Sequence, residues 1–406
     1  MTNNLNYDVI ICGAGPAGGT AAAVAARAGL KVALIEKQKL PRHKTCGGGM
    51  PMSVGKWLRD LAPDAFVESK VSHVRHTWNY GDAHLASINK PDADRKTVLW
   101  MAQRSTFDNA IAQSAVDAGA ELRDGLAVRA MEIEKDRVVV RTSSTGDRQT
   151  QFVATARHVI GADGANGIVA KAANLRQQRR LAIGMEVEFP YDWNSSAHPH
   201  LRPEIVHLEY GALKHGYAWI FPKADHLNIG AGLLPPRGSQ GSDRSVRMAL
   251  KQAIFSYFDL FKLETDRERL RFHGHPLPLW QGKEPRHAAD GKVLLVGDAA
   301  GLVNPLFGDG ILHGVKSGAI AAECIVKGCA DRYTQCLHDE LANNFDAALK
   351  LSYFFYGFPH FWYQNAVKHP SGTPAAMRLL AGDLTFSDLF SFRLVGKLGQ
   401  QFLSLR

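Results

Sequence analysis

The pattern of apolar positions opens with a strand, a helix and a second strand. The run YDVIICG (7–13) is apolar enough for a buried strand, and PAGGTAAAVAARAG (16–29) predicts an Ala-rich helix that Gly29 closes. KVALIE (31–36) predicts a second strand that ends at Glu36. Such a βαβ unit indicates that the chain begins as an α/β fold with a parallel sheet.

The next part of the chain predicts one helix and a strand hairpin. Residues 98–119 read as the end of a strand followed by a helix. Residues 126–142 alternate as two strands that turn near Lys135 and Asp136. HVIGADGANG (158–167) then adds one more strand and a tight glycine turn.

The pattern changes after residue 180. Separate strand-type runs lie at 182–189, 204–210 and 216–234, and a helix follows at about 243–261. We interpret this part as an inserted lobe that carries its own sheet. Residues 331–406 are mostly helical and aromatic, without an internal repeat.

Composition and charge exclude several classes of protein. The chain of 406 residues, 45% of them hydrophobic, can fill sizeable cores. Its net charge of +9 favours anionic partners, but no basic run is concentrated enough to predict nucleic-acid binding. Five cysteines without a CxxC pair predict neither a disulfide framework nor a zinc site. No apolar run has the length of about 18 residues that a membrane span needs. The cysteine content fits a reducing cytosol, so we expect a cytoplasmic protein.

A glycine fingerprint lies between the first strand and the first helix. Gly13, Gly15 and Gly18 form GxGxxG, and Glu36 ends the next strand. The first glycine allows a tight turn, the second lets backbone approach a pyrophosphate, and the third lets helix and strand pack closely. The helix N-terminus favours the anion, and Glu36 would accept the hydroxyls of the adenosine ribose. The fingerprint predicts dinucleotide binding without choosing between NAD and FAD.

A second glycine-rich stretch, GKVLLVGDAAGLVNPLFGDGILHGVKSG (291–318), favours FAD. Its strand ends at Asp298, which can accept a hydrogen bond from a ribityl hydroxyl, and a helix begins near 308–311. A reduced flavin carries negative charge near N1 and O2, which a helix N-terminus stabilises. NAD needs no such second site. GADGANG, with Asp163 and Gly164, completes a three-part pattern.

In the order and intervals of these motifs, the chain resembles two-dinucleotide-fold flavoproteins of the aromatic hydroxylase type over roughly residues 5–325. The resemblance implies that Asp298 binds the ribityl chain and that the DG segment lies near the pyrophosphate. It also implies that Arg104, in MAQRSTFDNA, contacts the cofactor. From the residues alone, Arg104 could equally be a helix-start arginine on a solvated face.

Two further segments resemble the geranylgeranyl reductase family. PRHKTCGGGMP (41–51) and GYAWIFPK (216–223) are similar to its Cys-Gly-Gly and YxWxFPK signatures, and NPLFGDGI (304–311) is similar to its GD helix. The resemblance implies saturation of isolated carbon–carbon double bonds of isoprenoid chains with reduced FAD, and NADPH or reduced ferredoxin as electron donor. Phe307 stands where a small hydroxyl residue is common.

The motifs and the resemblance together define a predicted site. Cys46, Tyr217 and Trp219 are the predicted catalytic residues, and Tyr217, Cys46 and water are the candidate proton donors. No metal is predicted, because the histidines lack metal-ligand spacing. The predicted FAD-binding residues are Gly13, Gly15, Pro16, Ala17, Gly18, Glu36, Lys37, Lys44, Thr45, Cys46, Gly47, Arg104, Val128, Asp163, Gly164, Gly297, Asp298, Gly308, Gly310 and Ile311.

The predicted fold is therefore α/β, with three parts. They are a Rossmann-like FAD-binding domain of residues 1–75, 98–180 and 290–330, an inserted antiparallel β-sheet substrate domain of residues 76–97 and 181–289, and a helical C-terminal region of residues 331–406.

Other flavoprotein classes use the same three motifs. An FAD-dependent monooxygenase or halogenase is one alternative, although a halogenase is expected to show WxWxIP where this chain has YAWIFP. A flavoprotein dehydrogenase that passes electrons to quinone is another, and Cys324, Cys329 and Cys336 lack the spacing of the iron–sulfur cluster expected there. A non-enzymatic FAD-binding scaffold is the least favoured.

The aromatic run LSYFFYGFPHFWYQ (351–364) is too short to span a membrane. Aromatic side chains with polar groups suit a membrane interface, and they also suit a helix hairpin over a substrate tunnel or a simple core. An isoprenoid substrate, a membrane surface and an electron-donor protein are thus the expected partners, with peripheral membrane association as the matching location.

Overall fold

The computed structural model describes residues 5–93, 96–146, 151–194, 198–234 and 244–389. The strands are, in chain order, β1 Leu5–Cys12, β2 Val32–Glu36, β3 Gly49–Pro51, β4 Ser69–Val71, β5 His73–Trp78, β6 Gly81–Ser87, β7 Leu99–Met101, β8 Glu121–Asp124, β9 Leu126–Ile133, β10 Val138–Ser144, β11 Gln151–Gly161, β12 Leu181–Pro190, β13 Ile205–Glu209, β14 Gly216–Pro222, β15 His226–Leu233, β16 His273–Pro278, β17 His287–Ala288 and β18 Val293–Leu295. The α-helices are α1 Pro16–Arg27, α2 Arg104–Asp117, α3 Val169–Ala172, α4 Arg244–Leu260, α5 Gly297–Ala300, α6 Ile311–Val326, α7 Tyr333–Gly357, α8 Pro359–Trp362, α9 Gly372–Ala381 and α10 Phe386–Leu389.

The first sheet contains the predicted βαβ unit. Strands β18, β11, β1, β2 and β8 lie side by side and run parallel, and β17 pairs antiparallel with β18 at the edge. The hairpin of β9 and β10 pairs antiparallel with the first half of β11. The inner strands are apolar along most of their length because the sheet is covered on both faces.

The late glycine-rich stretch completes the same sheet. Strand β18 pairs with β11, which also pairs with β1, so α6 lies beside α1. The two helices approach closely, because a Cβ on Gly318 would collide with the backbone carbonyl of Ala17. The N-terminal ends of α1 and α6 therefore open into one cavity, lined by Pro16 and Ile311 among others.

The second sheet has the order β16, β12, β15, β14, β13, β5 and β6. Neighbouring strands are antiparallel except β13 and β5, which run parallel. Along β14, Ala218 and Ile220 pack with α4 in an apolar core. Tyr217, Trp219 and Phe221 alternate with them and line the cavity on the opposite face.

The predicted α/β fold with an inserted sheet and a helical C-terminal region is confirmed. The second sheet already begins at His73, ahead of the expected domain boundary at 76, and 287–288 belong to the first sheet. The division into domains stays a prediction. Of the expected C-terminal helical region, residues 390–406 lie outside the described residues. Among the helices that the structure describes, none has the length and apolar character to cross a bilayer.

Candidate functional site

A cavity of about 2920 Å³ lies between the first sheet, the second sheet and the C-terminal helices. Pockets for single small molecules usually measure about 300–1,000 Å³, so this one has room for a dinucleotide and a second molecule. Every predicted site residue lines it except Gly18. Gly18 instead packs against the Gly13 carbonyl, where a Cβ would collide, as expected for the third glycine of the fingerprint. The chemical roles assigned to these residues stay predictions.

The turn between β1 and α1 has the shape of a pyrophosphate cradle. Gly13 has a φ of +110°, and a Cβ there would collide with the Ala162 carbonyl. A Cβ on Gly15 would have only the guanidinium nitrogens of Arg104 and Arg42 within 4 Å, each at 3.9 Å. Among the residues that the structure describes, no side chain caps α1, so its first amides can donate to a ligand. The residues present therefore fit the diphosphate of FAD.

Glu36 has more protein contacts than its predicted role requires. Its carboxylate accepts hydrogen bonds from the amides of Ala14 at 3.0 Å and Gln38 at 3.1 Å. It also forms an ion pair with Arg42 at 3.4 Å and is buried. These contacts hold the turn that contains Ala14. Glu36 also lines the cavity, and its role toward a ribose stays a prediction.

Arg104 is buried, which excludes a solvated helix face. Its guanidinium donates to both carboxylate oxygens of Asp108, at 2.8 and 2.9 Å, and Arg42 reaches the same carboxylate at 2.9 Å. Burial alone would lower the pKa of Arg104, but Asp108 and Cys46 outweigh it and raise that pKa. Arg104 therefore presents a permanent positive charge to the cavity.

Asp298 lies at the start of α5, after the last parallel strand, as predicted. Its carboxylate is 3.8 Å from His275 of β16. Burial alone would raise the pKa of Asp298, but His275 and Lys44 outweigh burial and keep that pKa below its usual value. Asp298 is thus an ionised acceptor beside the cavity. Burial, assisted by Arg104, lowers the pKa of Lys44 to about 8.

Three aromatic rings form a wall along β14. The centroids of Tyr217 and Trp219 lie 5.8 Å apart, and those of Trp219 and Phe221 lie 5.9 Å apart. Gly230 on the neighbouring strand makes room for the indole, where a Cβ would overlap it. A Cβ on Gly47 would lie 2.6 Å from the Phe221 ring. The glycines after Cys46 therefore make room for neighbouring protein groups, and they also line the cavity.

Two buried charged residues hold the turn at residues 46–49. Glu186 accepts a hydrogen bond from the Cys46 amide at 2.8 Å. Lys223 donates to the carbonyls of Gly47 at 2.7 Å and Ala102 at 2.8 Å. Burial raises the pKa of Glu186 and lowers the pKa of Lys223 to about 8. Cys46 itself is half-buried and lines the cavity.

The polar groups of Tyr217 and Trp219 form hydrogen bonds with other residues of the protein. The Tyr217 hydroxyl donates to the Phe307 carbonyl at 2.6 Å, and the Trp219 Nε1 donates to Asn228 at 2.8 Å. Burial, helped by Tyr356, raises the pKa of Tyr217, so its hydroxyl stays protonated. Tyr217 thereby connects the aromatic wall to the loop that leads into α6.

Sequence reasoning missed the residues that support the predicted ones. Arg42 and Lys223 stand inside the two family signatures, and Asp108 follows Arg104 by one helical turn, so a signal was present for these three. For the others, only the folded chain brings the partners together. The missed residues are Arg42, Asp108, Glu186, Lys223, Asn228 and His275. Within the described residues, no group of three or more His, Cys, Asp or Glu is placed to hold a metal ion.

The cradle on α1, the Asp298 turn and the shared cavity define an FAD-dependent oxidoreductase. Residues 6–326 match the family model described as FAD binding domain, which covers most of the chain. A menaquinone reductase from Mycobacterium tuberculosis is 31% identical over 403 residues, covering 94% of this chain and 90% of the relative. The chloroplastic geranylgeranyl diphosphate reductase of Nicotiana tabacum is 30% identical over 345 residues, covering 80% and 67%.

Solved structures agree with this fold. A geranylgeranyl bacteriochlorophyll reductase-like protein from Thermoplasma acidophilum matches with a TM-score of 0.74 at 18% identity, over 98% of this chain and 100% of the other. A flavin-dependent brominase matches with a TM-score of 0.72 at 19% identity, over 98% and 99%, which shows the shared fold alone. The chain belongs to the geranylgeranyl reductase family of FAD-dependent oxidoreductases, as the sequence motifs predicted.

Replacing Asp298 by Ala should weaken FAD binding roughly ten- to a hundredfold, because a hydrogen bond to a charged acceptor is worth about 1.5–3 kcal/mol. The measurement is the flavin-to-protein ratio after dialysis, followed by a fluorescence titration of the apoprotein. Asp331→Ala, an exposed carboxylate, is the matched control and should retain FAD. Equal FAD affinity in the two variants would contradict the role of Asp298.

Replacing Lys223 by Met should destabilise the protein, since two buried carbonyls lose their donor, at a cost on the order of 3 kcal/mol. The folded-state pKa of Lys223, about 8, lies below the ordinary lysine value of 10.5. Between these values the unfolded chain binds the extra proton, so wild-type stability gains with rising pH relative to the variant.

The loss of stability in Lys223→Met, relative to wild type, should therefore grow from about pH 8 toward about pH 10. Urea unfolding of both proteins across this range measures it. Lys135→Met, at an exposed hairpin turn, is the control and should show no such trend. A stability difference between the variant and wild type that stays constant with pH would show that folding does not lower the pKa of Lys223.

Proposed function

We propose that this protein saturates isolated carbon–carbon double bonds of an isoprenoid chain. The observation that carries the proposal is the apolar extension of the cavity beyond the FAD motifs. Aliphatic and aromatic side chains from the second sheet, from β7, from the loop before α6 and from α7 and α9 line this extension, which suits a long hydrocarbon. They include Val74, Leu99, Val206, Leu208, Leu306, Phe355, Tyr356, Met377 and Leu380.

The named relatives support the same substrate class. Geranylgeranyl diphosphate and menaquinone, which appear in the names of two of them, share an isoprenoid chain and differ in their head groups. A cavity that recognises mainly the hydrocarbon is consistent with both names. The head group of the substrate used here is therefore a separate question from the reaction.

For this reaction the protein mainly has to position the double bond next to the flavin. Bound FAD, once reduced, supplies the hydride, and the alkene also needs one proton. Because an isolated alkene carries no polar group, no side chain has to stabilise an oxyanion, and proximity is the main contribution. The aromatic wall of Tyr217, Trp219 and Phe221 would hold the chain, and its apolar surroundings would exclude water.

The proton has two candidate sources among the side chains. The O–H of Tyr217 is engaged by the Phe307 carbonyl, and burial raises the pKa of Tyr217. Cys46 Sγ accepts a hydrogen bond from the Gly48 amide at 3.4 Å, and no described hydrogen bond takes up its own proton. We therefore place the proton at Cys46 Sγ, with water as the alternative. NADPH or reduced ferredoxin stays the expected electron donor.

Chemically reduced protein, incubated without oxygen with geranylgeranyl diphosphate, should add two hydrogens per double bond, because hydride and proton both end on carbon. Mass spectrometry of the extracted chain measures this, and a reductant such as dithionite makes the physiological donor unnecessary. Protein without FAD is the control. A product that gains oxygen, and that forms only in air, would assign the protein to the monooxygenases.

Cys46→Ala should leave FAD content nearly unchanged but alter the rate and the number of bonds reduced. Misplacement of an alkene by about 1 Å can cost roughly a hundredfold in rate. The product distribution and the melting temperature of the variant are each compared with those of wild type. Cys336→Ala, half-buried and outside the cavity lining, is the control. If Cys46 is only a packed thiol, its loss should cost about 1 kcal/mol of stability and leave the products unaltered.

A further inference from the structure

A group of exposed aromatic side chains covers the turn between α7 and α8. Tyr353, Phe354 and Phe358 have exposed fractions of 52%, 57% and 66%, and Phe361 is also exposed. The other large exposed hydrophobic residues in the described parts of the chain lie far apart in sequence. We call residues 353–362 the aromatic turn. Contiguous exposed apolar surface of this kind marks an interaction site.

The aromatic turn is held in a defined shape. Pro359 begins α8, and Trp362 Nε1 donates to the Phe354 carbonyl at 2.9 Å. On the inner side, the Tyr356 hydroxyl donates to the Leu306 carbonyl at 2.8 Å. Phe355 and Tyr356 line the cavity. The same short segment thus has one face on the cavity and another in solvent.

The surroundings of the aromatic turn are positively charged. From Ala347 to Gly382 the sequence contains no Asp or Glu, and Lys350 is exposed one turn before the aromatic residues. Arg180 donates to the Tyr353 hydroxyl at 2.7 Å and lies 5.3 Å from its ring centroid. Lys368 is paired with Asp82 at 2.7 Å, so its charge is compensated. Lys350 and Arg180 leave a net positive rim around the apolar surface.

We propose that the aromatic turn docks on the surface of an anionic lipid bilayer. Aromatic rings with polar groups are favoured at the level of the lipid head groups, and cations beside them are attracted by anionic lipids. The segment is too short to cross the bilayer, so it would insert only its exposed face. This inference goes beyond the proposed reaction and does not depend on it, because docking is measurable without any substrate.

The experiment is sedimentation of the FAD-loaded protein with phosphatidylcholine vesicles, with and without phosphatidylglycerol. Wild type should bind the vesicles that contain phosphatidylglycerol. The double variant Phe354→Ser, Phe358→Ser should lose on the order of tenfold or more of that partitioning. The double variant Leu85→Ser, Met248→Ser, which removes two exposed apolar side chains elsewhere, should bind like wild type.

Charge is tested separately with Lys350→Gln. This variant should bind about fivefold less to the anionic vesicles, since one basic residue near such a surface contributes about this factor, and it should be unchanged on phosphatidylcholine alone. FAD content confirms that each variant is folded. Retained vesicle binding together with failed alkene reduction would contradict the proposed function only.

Three results would overturn the docking proposal. They are absence of binding to both kinds of vesicle, equal binding by wild type and the Phe354, Phe358 double variant, and a wild-type dimer that this double variant converts to monomer. The dimer would show that a second copy of the chain covers the aromatic turn. Light scattering at several protein concentrations measures it.

Discussion

The site is built around a buried carboxylate shared by two arginines. Asp108 is fully buried on α2 and accepts from Arg104 on the same helix and from Arg42 in the segment after β2. Arg42 reaches onward to Glu36 at the end of β2. Removing one partner of such a group leaves an uncompensated buried charge, at a cost of about 3–5 kcal/mol. The pyrophosphate cradle, the end of β2 and α2 are thereby fixed to one another.

The same network explains why a polar cluster persists next to an apolar cavity. Paired buried ions are weak evidence for stability, because desolvation cancels much of their attraction. Here the ion pairs hold the charged side chains in defined positions. Arg104 stays charged beside Gly15 because Asp108 orients it, and the cradle remains open because Gly15 has no side chain. An anionic diphosphate in the cradle would lie near the guanidinium groups of Arg104 and Arg42.

Local patterns predicted the parts of the site that depend on backbone geometry. The βαβ unit, the hairpin at 126–142 and the position of Asp298 follow from apolar periodicity and glycine spacing, which act over a few residues. Glu186, Asn228 and His275 could not be found in this way, because their partners lie on other strands or turns and only the fold brings them together. For the glycines after Cys46, only the fold shows that Phe221 and Ala102 occupy the space that a Cβ would need.

The register of the second sheet determines how the polar and apolar ends of the cavity meet. Along β14, the residues between the buried ones are aromatic, so the alternation that forms the core also forms the wall. Lys223 directly follows this strand, and its amino group donates to the two carbonyls that it contacts. A shift of one residue would turn the wall into the core and move Lys223 away from the Cys46 turn. The strand pairing that stabilises the second sheet is thus also the pairing that places the aromatic wall beside the predicted FAD-binding residues.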